Sequence, residues 1–294
     1  MAVHDGERHL RAALESVLAQ TFGDFELVVV DDGSTDSSRA IVDSYGDPRI
    51  RLLANETNIG LTRSLNRGLA ACRGRYVARQ DADDLSRPER LARQVELLDR
   101  RPDVALVASG YTRIDDEGRE TGDRPVPLDA TAIRWRLLFL NAFAHSSVTL
   151  RGDVVAALGG YDESVHYAQD YELWSRIAER HGVAALPERL ASYRRSAESM
   201  TAARNGADDE DEVAAISRRN LDALRPGRGA RLDRAAACRL VARIGEPVGA
   251  RRALRTVREL LALQRAFARR YGLPPSEALG HRASVLAAAA RNAR

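Results

Sequence analysis

Twice in the first third of this chain, a short apolar run ends abruptly in carboxylates. Phe25-Glu26-Leu27-Val28-Val29-Val30 runs into Asp31-Asp32-Gly33-Ser34, and Tyr76-Val77-Ala78 runs through Gln80 into Asp81-Ala82-Asp83-Asp84. Apolar, β-branched runs without alternation fit strands buried on both faces, as in a parallel sheet. Helical patterns separate them. Leu10, Ala13, Leu14, Val17 and Leu18 predict an amphipathic helix over 10–20. Ser34, Thr35 or Asp36 can cap a helix over 37–45. A strand over 50–54 precedes Asn58-Ile59-Gly60 and a helix carrying Leu65, Leu69 and Ala70, and Pro88 opens a helix through Leu91, Val95 and Leu98. A fourth strand follows over 104–110. This alternation predicts an α/β protein with an open, mostly parallel sheet, whose ligands gather beyond the carboxyl ends of the strands.

The second half is less regular, with helices expected over 132–140 and 171–180 and a short strand over 148–150. Beyond Asp208-Asp209-Glu210-Asp211-Glu212, read as a solvated linker or helix start, the chain is Ala/Arg/Leu-rich and helical, broken at Pro226-Gly227 and Pro274-Pro275. Two domains are expected, 1–205 and a basic helical region 206–294. Charge divides along the same line. All 45 basic residues are arginine, and residues 213–294 carry 18 of them against five acids, a balance of +13 that leaves −10 for residues 1–212. That tail either sits on anionic lipid near a lipid-linked acceptor or forms solvated helical surface. Nucleic acid is disfavoured, because stacking aromatics are nearly absent there.

At 294 residues with 44% hydrophobic content the chain can bury a full core. It has no apolar run of bilayer-spanning length, and Asp5 and Glu7 interrupt any signal-like start. Cys72 and Cys238 lie far apart and read as reduced thiols. The expected location is cytoplasmic, with peripheral contact at the inner membrane face as an option.

Three carboxylates within four residues, Asp81, Asp83 and Asp84, repel one another and are best tolerated beside a cation. Mg²⁺ or Mn²⁺ suits such oxygen ligands and completes its shell with substrate phosphates. The other reading is an acidic loop capping the helix after Pro88. Asp31-Asp32-Gly33-Ser34-Thr35-Asp36 likewise reads as a turn with an N-cap, or as carboxylates accepting hydrogen bonds from a base or ribose. Trp135 and Trp174 read as core.

In order and spacing, a series of segments over roughly 1–200 resembles the family 2 glycosyltransferases of GT-A fold. They include Leu14-Glu15-Ser16-Val17-Leu18, Phe25 to Asp36 as quoted, Asn58-Ile59-Gly60-Leu61, Asn66-Arg67-Gly68, Asp81-Ala82-Asp83-Asp84 and Arg87-Pro88-Glu89-Arg90. His145-Ser146-Ser147-Val148, Gly159-Gly160-Tyr161-Asp162 and Gln169-Asp170-Tyr171-Glu172-Leu173-Trp174 complete the set. The resemblance implies a metal-dependent, inverting, hexosyltransferase-like enzyme that moves a sugar from a nucleotide-diphosphate donor to an acceptor hydroxyl, in cell-surface polysaccharide, glycolipid or glycoprotein synthesis. It puts Asp32, with Asp31, at the base and ribose, Asp81 at the ribose and diphosphate, Asp83 at the metal with Asp81, and the catalytic base on Asp170. Arg63 is expected toward the donor pocket, and His145, Gly160 and Tyr161 toward the acceptor or a closing loop. By residue chemistry alone, Asp170 reads equally as a helix N-cap, His145 as a packing histidine and Gly159-Gly160 as a plain turn.

Three departures accompany the resemblance. Members open with a full strand before the segment matching Ala2 to Glu7, so the first strand is expected to be truncated at Met1, baring the edges of its neighbours; His4 stands where an aromatic lies against the base. Gln169 replaces an acid before the proposed base. Ser196 replaces a histidine after Tyr193-Arg194. No Gln-x-x-Arg-Trp motif is present, which argues against a processive synthase. Competing readings are a degenerate, non-catalytic binding protein and a sugar nucleotidyltransferase, whose Gly/Arg-rich triphosphate loop is missing; the Gly-x-Gly-x-x-Gly of dinucleotide enzymes is missing too.

Overall fold

A computed structural model describes residues 1–195, 206–227, 232–242 and 248–292. They form two compact units: residues 1–130 with 143–205, and residues 131–142 with 206–294. The segment 131–142, expected in the first domain, belongs to the second instead.

In the first unit, β1 (Ala2–Val3), β2 (Leu27–Asp31) and β3 (Ile50–Ala54) form a parallel sheet in that order, with Leu27 opposite Ile50 and Val3 opposite Asp31. Helix α1 (Glu7–Leu18) buries Leu10, Ala13, Leu14 and Val17, the stripe its spacing predicts. These side chains share a core with Val3, Leu27, Val29 and Val42, the last on α2 (Ser38–Asp43). Helix α3 (Leu61–Ala71) follows β3.

A second sheet has the order β4-β8-β6-β9-β5, with β7 appended to β6. Its members are β4 (Tyr76–Ala78), β5 (Leu85–Ser86), β6 (Val104–Ile114), β7 (Glu120–Arg124), β8 (Val148–Arg151) and β9 (Gly182–Arg194). The β6/β9 pair is parallel and the other pairs are antiparallel. Helix α4 (Arg90–Arg100) packs on β6, α6 (Gly152–Ala157) follows β8, and α7 (Gln169–Arg180) precedes β9. The long β9 was not expected, because Pro187 in a strand interior removes a ladder donor. The register jumps there: Ser109 faces Leu186 but Gly110 faces Arg189, so Pro187 and Glu188 stand out of the ladder.

β1 pairs with Val30 and Asp31 alone, and the preceding part of β2 and the outer edge of β4 carry no strand partner among the described residues. Between them lies a cavity of about 700 Å³ lined by Leu27, Val28, Tyr76, Val77 and, from helix α3, Leu65 and Leu69.

The second unit is helical: α5 (Ala130–Leu137), α8 (Gly206–Leu224), α9 (Arg234–Ala242), α10 (Ala250–Arg270) and α11 (Pro275–Asn292). Residues 208–212 fall within α8, in keeping with the helix-start reading of that run. Trp135, Phe139, Leu221, Leu240, Leu260 and Phe267 share one core, with Trp135 edge-on to Phe139 and Phe267 at ring-centroid distances of 5.3 and 5.4 Å. This explains why 131–142 leaves the first unit: its apolar side chains are part of this core. Among the described residues no helix is long and apolar enough to cross a membrane.

Candidate active site

The two acidic loops are neighbours. A Cβ added to Gly6, after β1, would lie 4.0 Å from the Cβ of Ala82, and Ala82 packs against the cluster that contains Val3 and Leu10. The C-terminal ends of β1, β2 and β4 therefore share one rim, as expected for strands of this kind.

On the first part of that rim, Asp31 and Asp32 are both buried, at 3% exposure. Asp31 Oδ1 accepts from Ser34 N–H at 3.1 Å, closing an Asx turn. Asp32 accepts three bonds: from Asn55 Nδ2 (2.7 Å) and Ile59 N–H (2.9 Å) at Oδ1, and from Gly60 N–H (3.0 Å) at Oδ2. Its carboxylate thus moulds the 55–60 loop, a task its sequence position does not reveal. Gly33, at φ +68°, is required as glycine, since a Cβ would meet the Thr57 carbonyl carbon at 2.5 Å. His4 is half-exposed, its Nδ1 2.9 Å from the Asp32 carbonyl oxygen. Asp5, at φ +46°, accepts from Thr35 N–H at 2.7 Å and so fastens the ends of the two loops together.

On the second part, the three carboxylates of the Asp81–Asp84 loop have been made chemically different. Asp81 has both oxygens engaged. Arg79 Nη2 donates to Oδ1, and Ser146 Oγ donates to Oδ2 at 3.0 Å. Burial would raise the Asp81 pKa, but Arg79, and after it His145 and Ser146, hold it below the usual carboxylate range. Asp84 is pushed well above that range by burial and by its two acidic neighbours; its Oδ1 accepts from Arg194 N–H at 2.7 Å, and its Oδ2 has no partner among the described residues. Asp83 lies between, raised to about 6 by burial and by the charge of Asp81. No arginine or histidine pairs with its carboxylate among the described residues. The loop therefore carries one compensated carboxylate, one whose charged form is strongly disfavoured by burial and its acidic neighbours, and one raised carboxylate without a paired cation.

Arg79 is the residue that sequence reasoning missed. Its side chain is 4% exposed, and besides Asp81 its Nε donates to His145 Nε2 at 2.8 Å. Since arginine only donates, His145 Nε2 is the acceptor and the ring is neutral. Burial and the Arg79 charge push the His145 pKa down to about 3. Tyr161 Oη lies 2.8 Å from the same Nε2, and Trp174 stands edge-on to both rings, at 5.8 Å from His145 and 6.4 Å from Tyr161. Trp174 is thus core, as expected, and it backs the site. Arg90, 1% exposed, donates to the Ser146 carbonyl at 2.9 Å and fixes that hub from behind.

Helix α3 anchors the 159–165 loop. Asn66 Nδ2 donates to Tyr161 O, Tyr161 N–H donates to Asn66 Oδ1, both at 2.9 Å, and Thr62 Oγ1 donates to Val165 O at 3.0 Å. Gly160 sits at φ +73°, and a Cβ there would stand 2.6 Å from Asn66 Oδ1. Arg176, paired with the buried Glu172, donates to the carbonyls of Leu158 (2.7 Å) and Gly160 (2.6 Å). Gly159-Gly160 is therefore a turn braced from two helices rather than a plain one.

Asp170 occupies the first turn of α7, partly exposed, and its Oδ1 accepts from Tyr171 N–H at 2.7 Å. Its charge acts on Tyr161, whose pKa is raised chiefly by burial. Asp170 is not the N-cap that its residue chemistry allowed: Ala168 holds that position, and Asp170 lies inside the helix. Gln169 is buried, and its amide nitrogen, when turned to donate, meets the carbonyls of Tyr167 (2.9 Å) and His166 (3.2 Å). An ionised acid could not make those bonds. Arg63 lies on helix α3. It is 62% exposed, with its Nε 3.4 Å from Glu163. Ser196 lies outside the described residues.

His4, Asp31 and Asp32 are thus brought together, as are Asp81, His145 and Tyr161. No group of three or more His, Cys, Asp or Glu side chains among the described residues is arranged to hold a metal ion.

The sequence profile of glycosyl transferase family 2 matches residues 1–152. The amylovoran biosynthesis glycosyltransferase AmsE of Erwinia amylovora is 35% identical over 190 residues, covering 63% of this chain and 70% of that protein. EpsE of Bacillus subtilis is 34% identical over 184 residues, covering 61% and 65%. Among solved structures, S. aureus TarS 1–349 in complex with UDP-GlcNAc superposes with a TM-score of 0.63 at 18% identity, over 99% of this chain and 87% of that one, a likeness of fold.

Proposed function

The chain belongs to glycosyl transferase family 2 and is a glycosyltransferase of GT-A fold, and from that premise we propose that it transfers a sugar from a nucleoside-diphosphate donor to an acceptor hydroxyl with inversion, in the synthesis of a surface polysaccharide or related glycan. The name of AmsE, a biosynthetic enzyme of the polysaccharide amylovoran, and the UDP-GlcNAc held by TarS support this class of product and donor. The observation that carries the reading is the differentiated carboxylate loop beside the His4, Asp31 and Asp32 loops. It leaves Asp83 ionisable near neutrality and without a partner cation.

Asp83, with Asp81 beside it, would hold Mg²⁺ or Mn²⁺. Two carboxylates are too few for a closed protein site but suit a hard ion that takes its remaining ligands from diphosphate and water. Such an ion supplies counter-charge for the departing nucleoside diphosphate. His145, being neutral, adds no charge there. On the acceptor side, Asp170 takes the hydroxyl proton as the acceptor oxygen bonds to the anomeric carbon and the bond from that carbon to phosphate breaks. One displacement inverts the centre, so an α-linked donor gives a β-glycoside. His4 and the loop shaped by Asp32 would receive the base and ribose, and the braced 159–161 turn would border the acceptor.

A panel of nucleotide sugars, screened by thermal shift with Mn²⁺, tests the reading. One donor should raise the melting temperature, and slow hydrolysis of that donor should be abolished by Asp83→Ala in a protein whose circular dichroism is unchanged. If no nucleotide or nucleotide sugar binds, with Mn²⁺ or Mg²⁺, the chain is a binding protein on a transferase fold.

A further inference from the structure

The second unit presents a surface that transfer chemistry does not use. Helix α10 buries Ala253, Thr256, Leu260, Leu263, Gln264, Ala266 and Phe267. Opposite them, Arg251, Leu254, Arg255, Arg258, Arg265 and Arg269 are all exposed. At 100° per residue these six fall within an arc of about 100°. The stripe runs for 18 residues, about 27 Å at 1.5 Å per residue. It bears five positive charges and no negative one, since the only acid of α10, Glu259, lies off it. Arg252, which does pair with an acid (Asp233, 2.5 Å), also lies off it.

Exposed apolar side chains accompany the charge. Five large hydrophobic residues are exposed among the described residues, and three of them, Leu254, Leu279 and Leu286, belong to α10 and α11. The two helices are tied by Gln264 Nε2 donating to the Ala278 carbonyl at 2.9 Å. Aromatic platforms are absent: Phe267 is fully buried and Tyr271 packs against the same core. Nucleic-acid binders pair positive charge with stacking rings, whereas interfacial helices pair it with insertable leucines.

We propose that the Arg251–Arg269 stripe of α10 is a docking surface for an anionic lipid bilayer, with its arginines on head-group phosphates and Leu254 entering the head-group layer. Guanidinium groups suit phosphate by geometry as well as charge, and a row of them on one helix gains affinity with each head group neutralised. The complement is consistent with the charge division, since the +13 of residues 213–294 would draw to such a surface a chain whose residues 1–212 carry −10. This reading is independent of the transfer chemistry and holds whichever sugar is moved.

The test is co-sedimentation of the full chain with phosphatidylcholine vesicles containing 30% phosphatidylglycerol, against phosphatidylcholine alone, at 50 and 300 mM NaCl. The expected result is binding to the anionic vesicles only, lost at the higher salt. Neutralising each arginine should cost about fivefold in affinity, so Arg251→Gln/Arg258→Gln/Arg265→Gln should bind about 100-fold more weakly at an unchanged melting temperature. Leu254→Ser should weaken binding severalfold with the charge intact. The proposal is overturned if the triple variant binds like the parent, if neutral vesicles bind equally well, or if the protein ignores anionic vesicles and instead binds single-stranded RNA.

Discussion

Arg79→Met probes the electrostatic heart of the site. The substitution keeps a linear, flexible apolar stem and removes the guanidinium that donates to both Asp81 Oδ1 and His145 Nε2. Breaking a buried ion pair by deleting one partner costs about 3–5 kcal/mol, because the other charge is left uncompensated. Asp81 retains 26% side-chain exposure, so water screens part of the loss and the lower end, about 3 kcal/mol, applies. For a unit of this size that is roughly 6–12 °C in melting temperature. Tryptophan fluorescence gives a clean readout, because the chain has two tryptophans and one lies in each unit. In a Trp135→Phe background the signal comes from Trp174, which packs against His145. Adding Asp81→Asn to Arg79→Met removes the stranded charge and should restore about 1–2 kcal/mol, a non-additivity that marks direct coupling. A loss below about 1 kcal/mol for Arg79→Met, or strict additivity of the two changes, would refute the view that one buried cation sets the state of this loop.

Other consequences are more local. Asn66→Ala leaves the buried N–H and C=O of Tyr161 without partners and should cost about 2–3 kcal/mol, while Gly160→Ala, strained at positive φ and crowding Asn66, should cost at least 1 kcal/mol; urea midpoints equal to the parent's would contradict both. Glu26 resists burial's upward push on its pKa, and the bonds from Arg51 and the Arg73 N–H take it below the usual value of 4.5. Its stabilisation is therefore complete above pH 4.5 and lost as pH falls through the folded-state pKa. Glu26→Gln should flatten the acid limb of stability below pH 5, and an unchanged limb would exclude the linkage. Trp135→Ala should cost about 3–5 kcal/mol in the helical unit; undiminished hydrogen-exchange protection of α10 amides would show that the ring is not a core member.

The strands that carry the site were legible because they are simple. β3 and β4 begin and end where their apolar runs do, and α1 buries the stripe its spacing predicts. What escaped notice depends on partners distant in sequence. The thirteen-residue β9 holds a proline that is tolerable only because β9 itself bulges there, leaving Pro187 and Glu188 out of the ladder with β6. Helix α5 looked like part of the first domain, and only the apolar helices some 80 residues further on make it part of the second. The same divide runs through the site. Asp81, Asp83 and Asp170 could be named from motifs, but the opposite shifts of Asp81 and Asp83 depend on burial and on Arg79, Ser146 and Arg194, which periodicity does not reveal. Asn66 and Ser146 lay within matched segments, and their hydrogen-bonding types were a usable signal. Arg79, a charge directly after an apolar strand, was another.

The cavity between β2 and β4 has a mechanical meaning. His4, Asp31 and Asp32 hang from the three-stranded sheet, and Asp81, Asp83 and His145 from the six-stranded one. Among the described residues no strand ladder joins these sheets; isolated hydrogen bonds do, such as Gln20 Nε2 to Arg87 O (2.8 Å), Thr21 N–H to Pro88 O (2.9 Å) and Asn66 to Tyr161. Two bodies stitched in this way can open separately, each with its own free energy. A ligand lying across the shared rim would act as a splint, and the slowing of amide exchange in both sheets on binding would measure how much of the site's rigidity the substrate brings with it.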